Sequence, residues 1–194
     1  LGYADAGPTH YITEGLACLR SIVNFEVYTP SDLSTVVELA ELTDRKPALR
    51  VLRLDRNAVE DIHTQGISVD TGFVELKKGH QIGILSCGYV LQRILKNWAE
   101  VTHGLDIGLV DVFRNKPLNL DGLKPIFEKY KKIITVEEQC LSGGFGSSIL
   151  EAISDLGMNN PVKRLGLEDR YYFENGGREY LLNTFGLSNQ QLKD

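Results

Sequence analysis

The chain has 194 residues, of which 42% are hydrophobic and 24% are charged, proportions that are ordinary for a water-soluble globular protein. The net charge is −5 without a basic stripe, which argues against nucleic-acid binding, and no apolar run reaches about 18 residues, which argues against a membrane span. Cys18, Cys87 and Cys140 have neither CxxC nor metal-ligand spacing, so we expect reduced, buried thiols in a cytoplasmic protein.

Helical and strand patterns alternate over the first 57 residues. The predicted elements are a helix at 12–22, a strand at 25–28, a helix that Ser31 or Asp32 can cap, and a strand at 48–54. These elements supply two strands of a parallel sheet. The polar stretch 57–66 has no apolar period and is interpreted as a linker.

The alternation restarts after the linker and predicts a second, complete unit. Its strands are expected at 72–76, 82–86, 106–112, 133–136 and 162–167, and its helices at 90–98, 120–130, 147–156 and 180–185. Strands that alternate with helices are typical of parallel sheets. We therefore predict an α/β fold with a mostly parallel sheet of about five strands and flanking helices.

The segment Gly7-Pro8-Thr9-His10 lies just before the first predicted helix. Proline fixes φ and glycine permits a sharp turn, so we expect the imidazole of His10 at a loop-to-helix junction. A histidine there is able to donate to a sugar hydroxyl or a ketone oxygen, or to transfer a proton near neutral pH. A turn that carries a surface histidine is the alternative interpretation.

Two arginines end the strand predicted at 48–54, in the segment Arg53-Leu54-Asp55-Arg56-Asn57. The carboxyl ends of parallel strands open onto the ligand crevice of an α/β sheet, and a guanidinium there suits a bidentate phosphate contact. The alternative is a surface salt bridge with Asp55 or Glu60.

Other motifs favour structural roles. The glycines of 142–147 precede a helix without the lysine of a P-loop, so we expect them to permit close packing of loop and helix. Glu137 and Glu138 are adjacent in a strand and point to opposite faces, which favours capping or interface roles over acid–base catalysis. Three isolated histidines are interpreted as surface residues, namely His63, His80 and His103.

Taken in order, these motifs resemble the transketolase family. Residues 7–24 are similar to the family segment GPTHxxxEDLAxLRSIPN, and residues 27–32 continue it. Residues 111–118 resemble the DxxxxKPLD element, and residues 135–147 resemble the TVEEHxxxGGLGS element. Residues 161–166 complete the series, which is more specific as an ordered set than any single motif.

The resemblance implies both the domain organisation and the site residues. Transketolase-like enzymes have three α/β domains: one for the diphosphate and metal of thiamine diphosphate, one for its pyrimidine, and a C-terminal domain. Residues 1–58 would then be the end of the pyrimidine-binding domain, and residues 66–194 the C-terminal domain. By the same resemblance, His10 binds the sugar substrate near its C1 to C3 hydroxyls and Arg56 binds the substrate phosphate. Arg53 occupies the first arginine of the related RYPRG form.

The sequence departs from the family pattern at several positions. Ala6 stands where an acidic residue normally contacts a substrate hydroxyl, and Asp5 is one place away. Gly15, Val23 and Gln139 replace the usual Asp, Pro and His. In the family, the glutamate that activates the aminopyrimidine and the ligands of the diphosphate and metal precede the GPTH element. We therefore expect no catalytic, cofactor-binding or metal-binding residue in this chain.

The resemblance implies a complete enzyme that uses thiamine diphosphate with Mg²⁺ or Ca²⁺ to move a two-carbon ketol unit between sugar phosphates. No cofactor is expected on this chain alone. Alternatives are the related 1-deoxyxylulose-5-phosphate synthases and the β subunits of 2-oxoacid dehydrogenases, although the GPTH element argues against the latter. A further alternative is an isolated, non-catalytic docking or dimerisation module. The expected partners are a sugar phosphate, an N-terminal diphosphate-binding domain or subunit, and a second copy in a cytoplasmic homodimer.

Overall fold

A computed structural model describes residues 1–3, 6–64 and 66–193. The helices are α1 Gly15–Ser21, α2 Leu33–Arg45, α3 Gly88–Lys96, α4 Trp98–Thr102, α5 Leu120–Lys129, α6 Phe145–Asp155, α7 Arg178–Thr184 and α8 Asn189–Lys193. The strands are β1 Glu26–Tyr28, β2 Arg50–Leu52, β3 Val74–Lys77, β4 Ile82–Ser86, β5 Ile107–Asp111, β6 Arg114–Lys116, β7 Lys132–Cys140 and β8 Val162–Leu167. Helices and strands alternate along the chain, which confirms the predicted α/β class.

The larger sheet has five strands in the order β3-β5-β4-β7-β8. Strand β4 pairs in parallel with both β5 and β7, and β7 pairs in parallel with β8. Strand β3 is antiparallel to β5 at one edge. The sheet is therefore mostly parallel, as predicted.

Side chains alternate between the two faces of this sheet and build a core on each side. On β4, Ile84 belongs to one cluster of buried residues and Leu85 to the other. Helix α3 covers the first face with Leu91 and Ile94, which are fully buried. Helices α5 and α6 cover the second. Burying one such side chain contributes about 1.5–3 kcal/mol, so both faces of the sheet need their helices.

The smaller sheet joins the two parts of the chain. Strand β1 pairs in parallel with β2, and its other edge pairs antiparallel with β6. The sequence did not predict β6, whose three residues Arg114–Lys116 are polar and show no apolar alternation. The division of the chain into residues 1–58 and 66–194 stays a prediction.

A buried ionic cluster lies between the two sheets and includes His63. Asp32 caps α2 through the backbone N–H of Thr35 at 2.8 Å, as predicted, and its other oxygen lies 2.9 Å from Nδ1 of His63. Nε2 of His63 lies 3.5 Å from the buried carboxylate of Asp111 at the end of β5. His63 is buried, so its interpretation as a surface residue was wrong. Local sequence does not indicate this burial, because both carboxylate partners of His63 are distant in sequence. We call Asp32, Thr35, His63 and Asp111 the His63 cluster.

Two other expectations concern cysteines and membranes. The three cysteines are free, but only Cys140 is buried, whereas Cys18 is exposed, so the expectation of uniformly buried thiols was wrong. Among the helices that the structure describes, none combines the length and apolar character needed to cross a membrane.

Candidate functional site

A cleft of about 370 Å³ opens beyond the carboxyl ends of β1, β2 and β4, where a parallel α/β sheet usually binds its ligand. Its lining comes from both parts of the chain. His10 and Arg56, the two residues predicted to bind substrate, both line this cleft, together with Arg53.

A tight turn places His10 at the mouth of the cleft. Gly7 has a φ of +71°, a conformation that glycine adopts most easily, and its carbonyl accepts a hydrogen bond of 3.0 Å from the backbone N–H of His10. Nδ1 of the exposed imidazole lies 2.9 Å from the hydroxyl of Thr9. Nε2 is therefore the ring atom left to meet a ligand.

Arg56 and His10 both approach the ring of Tyr3. The guanidinium carbon of Arg56 is 4.7 Å from the centroid of the Tyr3 ring, and the His10 ring centroid is 6.0 Å from the same ring. Within the described ranges, no hydrogen bond or ion pair joins the exposed Arg56 to a carboxylate. Asp55 instead binds Arg178 at 2.6 Å, so the proposed surface bridge of Arg56 with Asp55 is not formed.

Arg53 forms a second positive charge deeper in the cleft. Its Nη1 donates to the hydroxyl of Thr29 at 3.1 Å, and that hydroxyl donates to the side-chain oxygen of the buried Asn115. Burial lowers the pKa of Arg53, although the charges of Glu137 and Glu138 oppose this effect. A guanidinium in such surroundings favours an anionic ligand because its charge is only partly compensated.

Glu137 is a helix cap. Its carboxylate accepts hydrogen bonds from the backbone N–H groups of Phe145 at 2.6 Å and Gly146 at 2.7 Å, at the start of α6. Burial raises the pKa of Glu137 to about 7, although these two N–H groups and the charge of Arg164 oppose the rise. A Cβ on Gly144 would lie 2.2 Å from Oε2 of Glu137, so the glycines serve close packing, as predicted.

Glu138 points to the opposite side of β7 and pairs with Arg178. Nε of Arg178 donates to Oε1 of Glu138 at 2.8 Å, and Nη2 donates to Oε2. The Arg178 guanidinium also lies 3.6 Å from the centroid of the Tyr89 ring. The sequence analysis missed Arg178 and Tyr89. Only the Gly176-Gly177 pair before Arg178 signalled a special backbone there, since both glycines have positive φ.

Gln139, which replaces a family histidine, fastens the His10 segment to the large sheet. Its side-chain oxygen accepts a hydrogen bond from the backbone N–H of Leu16 at 3.0 Å, and its nitrogen donates to the carbonyl of Ile12 at 3.0 Å. The departure from the family pattern therefore has a structural role beside the cleft.

The cysteine of the cleft does not supply a reactive group, and the described acidic and histidine side chains do not supply a metal-binding group. Burial raises the pKa of Cys87, which lines the cleft, to about 12, so this side chain stays a neutral thiol near neutral pH and is a poor nucleophile. Across residues 1–3, 6–64 and 66–193, no group of three His, Cys, Asp or Glu side chains is arranged to hold a metal ion. Ala6 is exposed and Asp5 lies outside the described residues. Arg53 and Arg56 line the cleft without an ion pair to a described carboxylate, which suits an anionic ligand.

Comparisons with known proteins point to one family. The sequence profile of "Transketolase, C-terminal domain" matches residues 73–192. The chain is 30% identical over 193 residues to the 1-deoxy-D-xylulose-5-phosphate synthase of Thermotoga petrophila, and this match covers 97% of the chain and 31% of the relative. It is 31% identical over 190 residues to the enzyme of the same name from Gloeobacter violaceus, with coverages of 95% and 30%. The chain thus spans about a third of the length of these relatives.

Solved structures agree in fold. A split gene transketolase in an inactive beta4 tetramer superposes with a TM-score of 0.83 at 24% identity, covering 96% of this chain and 60% of that one. A transketolase from Leishmania mexicana superposes with a TM-score of 0.75 at 15% identity, covering 99% and 28%. At these identities the likeness shows the fold alone. The family profile, however, matches more than half of the chain, and this protein therefore belongs to the family of the transketolase C-terminal domain.

Proposed function

We propose that this chain forms the C-terminal part of a thiamine-diphosphate-dependent enzyme of the transketolase type, which transfers a two-carbon ketol unit between sugar phosphates. Family membership and fold support this proposal. The observation that carries it is that His10 and Arg56 line one cleft and both approach the ring of Tyr3.

In this proposal the two residues have separate tasks. Arg56 holds the phosphate by charge-assisted hydrogen bonds, since its guanidinium carries a full charge and has no carboxylate partner among the described residues. Nε2 of His10 donates to or accepts from a hydroxyl or ketone oxygen of the same sugar. Arg53, further inside, adds positive potential and draws the anion toward the deeper end of the cleft.

The names of the curated relatives favour a second candidate reaction. Those proteins are 1-deoxy-D-xylulose-5-phosphate synthases, and the corresponding reaction here would condense pyruvate with a glyceraldehyde phosphate. Both reactions place a phosphorylated sugar against His10 and Arg56, so the same cleft serves either. Product analysis with pyruvate as the donor distinguishes them.

Thiamine diphosphate supplies the carbanion chemistry in the complete enzyme, together with Mg²⁺ or Ca²⁺. The described residues do not fit its metal and diphosphate, because they include no group of three side chains able to hold a metal. We therefore assign those ligands to an N-terminal diphosphate-binding domain or subunit. We also propose a homodimer in the cytoplasm.

Calorimetry and a turnover assay test the proposal. The isolated 194-residue chain is expected to show no transketolase turnover and no micromolar affinity for thiamine diphosphate. Mixing or fusing it with a part that supplies both the diphosphate-binding domain and the rest of the pyrimidine-binding domain is expected to restore both. Micromolar binding of thiamine diphosphate by the isolated chain would contradict the assignment of the cofactor ligands to another domain or subunit. Light scattering of the restored enzyme tests the homodimer.

A further inference from the structure

The far wall of the cleft is built around Arg178, and its guanidinium has three protein partners. Nε and Nη2 bind the two carboxylate oxygens of Glu138 on β7, and Nη1 donates to Oδ2 of Asp55 at 2.6 Å. The centroid of the Tyr89 ring lies 3.6 Å from the guanidinium carbon. The side chains of Arg178, Glu138 and Asp55 are 10%, 12% and 19% exposed. We call these four residues the Arg178 clamp.

The clamp holds the loop that carries Arg56. Asp55 directly precedes Arg56, and its Oδ1 also accepts a hydrogen bond from the backbone N–H of Asn57 at 3.0 Å. A Cβ added at Gly2 would lie 3.8 Å from both Cβ of Arg56 and Nη1 of Arg178, which shows how near the two arginines are. The carboxylate of Asp55 thus fixes the backbone on both sides of Arg56.

The C-terminal segment is shaped to deliver Arg178 to this position. Gly176 and Gly177 have φ values of +149° and +84°, which residues with a side chain rarely adopt. They precede α7 and turn the chain so that its first residue, Arg178, faces the cleft. Arg178 lies within residues 73–192, which match the C-terminal-domain family, whereas Asp55 lies before them.

We propose that Arg178 is a positioning residue for phosphate recognition: through Asp55 it holds Arg56 at the geometry that a sugar phosphate needs. The C-terminal domain then contributes to substrate affinity without touching the substrate. This inference rests on the proposed function of Arg56. A preorganised arginine loses less side-chain freedom on binding, and that freedom is worth about 0.5–1.5 kcal/mol per long side chain, or about twofold to tenfold in affinity.

Steady-state kinetics on the complete enzyme tests the proposal, with an aldose phosphate and the same aldose without phosphate as acceptors. Arg178→Gln is expected to raise KM for the aldose phosphate about twofold to tenfold, with kcat nearly unchanged, and to leave the unphosphorylated aldose unaffected. The inhibition constant of inorganic phosphate should rise by the same factor.

A double-mutant cycle separates positioning from general damage. If Arg178 acts through Arg56, Arg178→Gln has no further effect on KM in an enzyme that already carries Arg56→Ala. Arg178→Lys guards against misfolding, because it keeps a charge beside Glu138, but one ammonium does not bridge Glu138 and Asp55 as a guanidinium does. The lysine variant should therefore show the same KM effect.

Arg170→Gln is the matched control. Arg170 belongs to the same C-terminal segment and stacks 4.2 Å from the Tyr172 ring centroid, but it does not line the cleft. It should leave the KM values unchanged. Equal effects of Arg178→Gln on both acceptors, or an undiminished effect in the Arg56→Ala background, would overturn the positioning role. If Arg56→Ala abolishes the preference for the phosphorylated acceptor and Arg178→Gln does not change it, this inference is overturned but the proposed function is not. If neither variant changes that preference, both the inference and the proposed function are overturned.

Discussion

Arg56 and Arg178 line the same cleft in opposite circumstances. Arg178 is nearly buried, and its three guanidinium nitrogens are taken by Glu138 and Asp55. Arg56 is exposed, and its guanidinium stacks on the ring of Tyr3 without a hydrogen bond or ion pair to a described carboxylate. A buried charge that is paired with carboxylates stabilises the structure, whereas an exposed charge without such a partner is available to a ligand. Arg178 therefore has a structural role in the cleft, whereas Arg56 is the residue that we propose to bind the ligand.

The largest expected effect concerns the structural role of the Arg178 clamp. Glu138→Ala leaves Arg178 buried beside Asp55 alone, and breaking a buried ion pair costs about 3–5 kcal/mol. We expect a loss of that size in the free energy of unfolding of the chain, measured by urea denaturation with an unchanged m-value. The matched control is Glu151→Ala, since Glu151 pairs with Arg20 but is 61% exposed. An exposed ion pair is worth about 1 kcal/mol or less. Equal losses of unfolding free energy in the two variants would contradict the structural role of the Arg178 clamp.

The next effect concerns the proposed ligand-binding role of Arg56. Charge-assisted hydrogen bonds are worth about 1.5–3 kcal/mol each, so Arg56→Ala should raise KM for phosphorylated substrates about tenfold to a hundredfold in the complete enzyme. Unphosphorylated acceptors should be nearly unaffected, and the free energy of unfolding should change by less than about 1 kcal/mol. Arg45→Ala, at an exposed position at the end of α2, is the control. A stability loss without phosphate selectivity would make Arg56 a structural residue.

The smallest effect concerns the His63 cluster, which is buried like the Arg178 clamp but can change its charge. Burial lowers the pKa of His63, but the hydrogen bond to Asp32 and the charge of Asp111 raise it above its ordinary value, with Asp61 adding to the rise. Burial would raise the pKa of Asp32, but hydrogen bonds from His63 and Thr35 hold it below its usual range. The cluster is therefore most stable when His63 is protonated.

The sign of the pH dependence follows. A histidine with a raised pKa stabilises the fold fully below 6.5, its unfolded pKa, and this stabilisation is lost as the pH rises through the folded value. Burial raises the pKa of Asp111 to about 7, so its contribution is also lost as the pH rises, but over the lower range from its ordinary 3.8 to about 7. The free energy of unfolding should therefore fall as the pH rises above about 6.5. His63→Gln should flatten this slope, and an unchanged slope would refute the assignment.

Local patterns predicted most of the fold. The apolar runs of β4 and β5 depend on neighbours within a few residues and were predicted correctly, and Asp32, which caps α2, is one of the two predicted capping residues. Strand β6 was missed because its pairing with β1 comes from a distant partner and its own residues are polar. Helix α6 begins at Phe145, two residues before the predicted start, because Glu137 supplies its cap from eight residues away.

The site divides in the same way. His10 and Arg56 were recognised from motif resemblance, and their shared cleft agrees with that reading, although their binding roles stay predictions. Arg178 was missed because Glu138 is 40 residues away and Asp55 is 123 residues away. His63 was misread for the same reason, since Asp111 lies far along the chain. A polar residue that is satisfied only by distant partners has no local signature.

Strand β6 has a consequence for how the protein can come apart. It belongs to the later part of the chain, yet it hydrogen-bonds to β1 as an edge of the smaller sheet. Cutting the backbone anywhere in 57–61 would thus leave two pieces that still share a sheet, the Arg178 clamp and the His63 cluster. Limited proteolysis there should yield a nicked complex that elutes as one species and unfolds in one transition. Residues before and after 57–61 therefore share these contacts, and we expect neither piece to be exchangeable on its own.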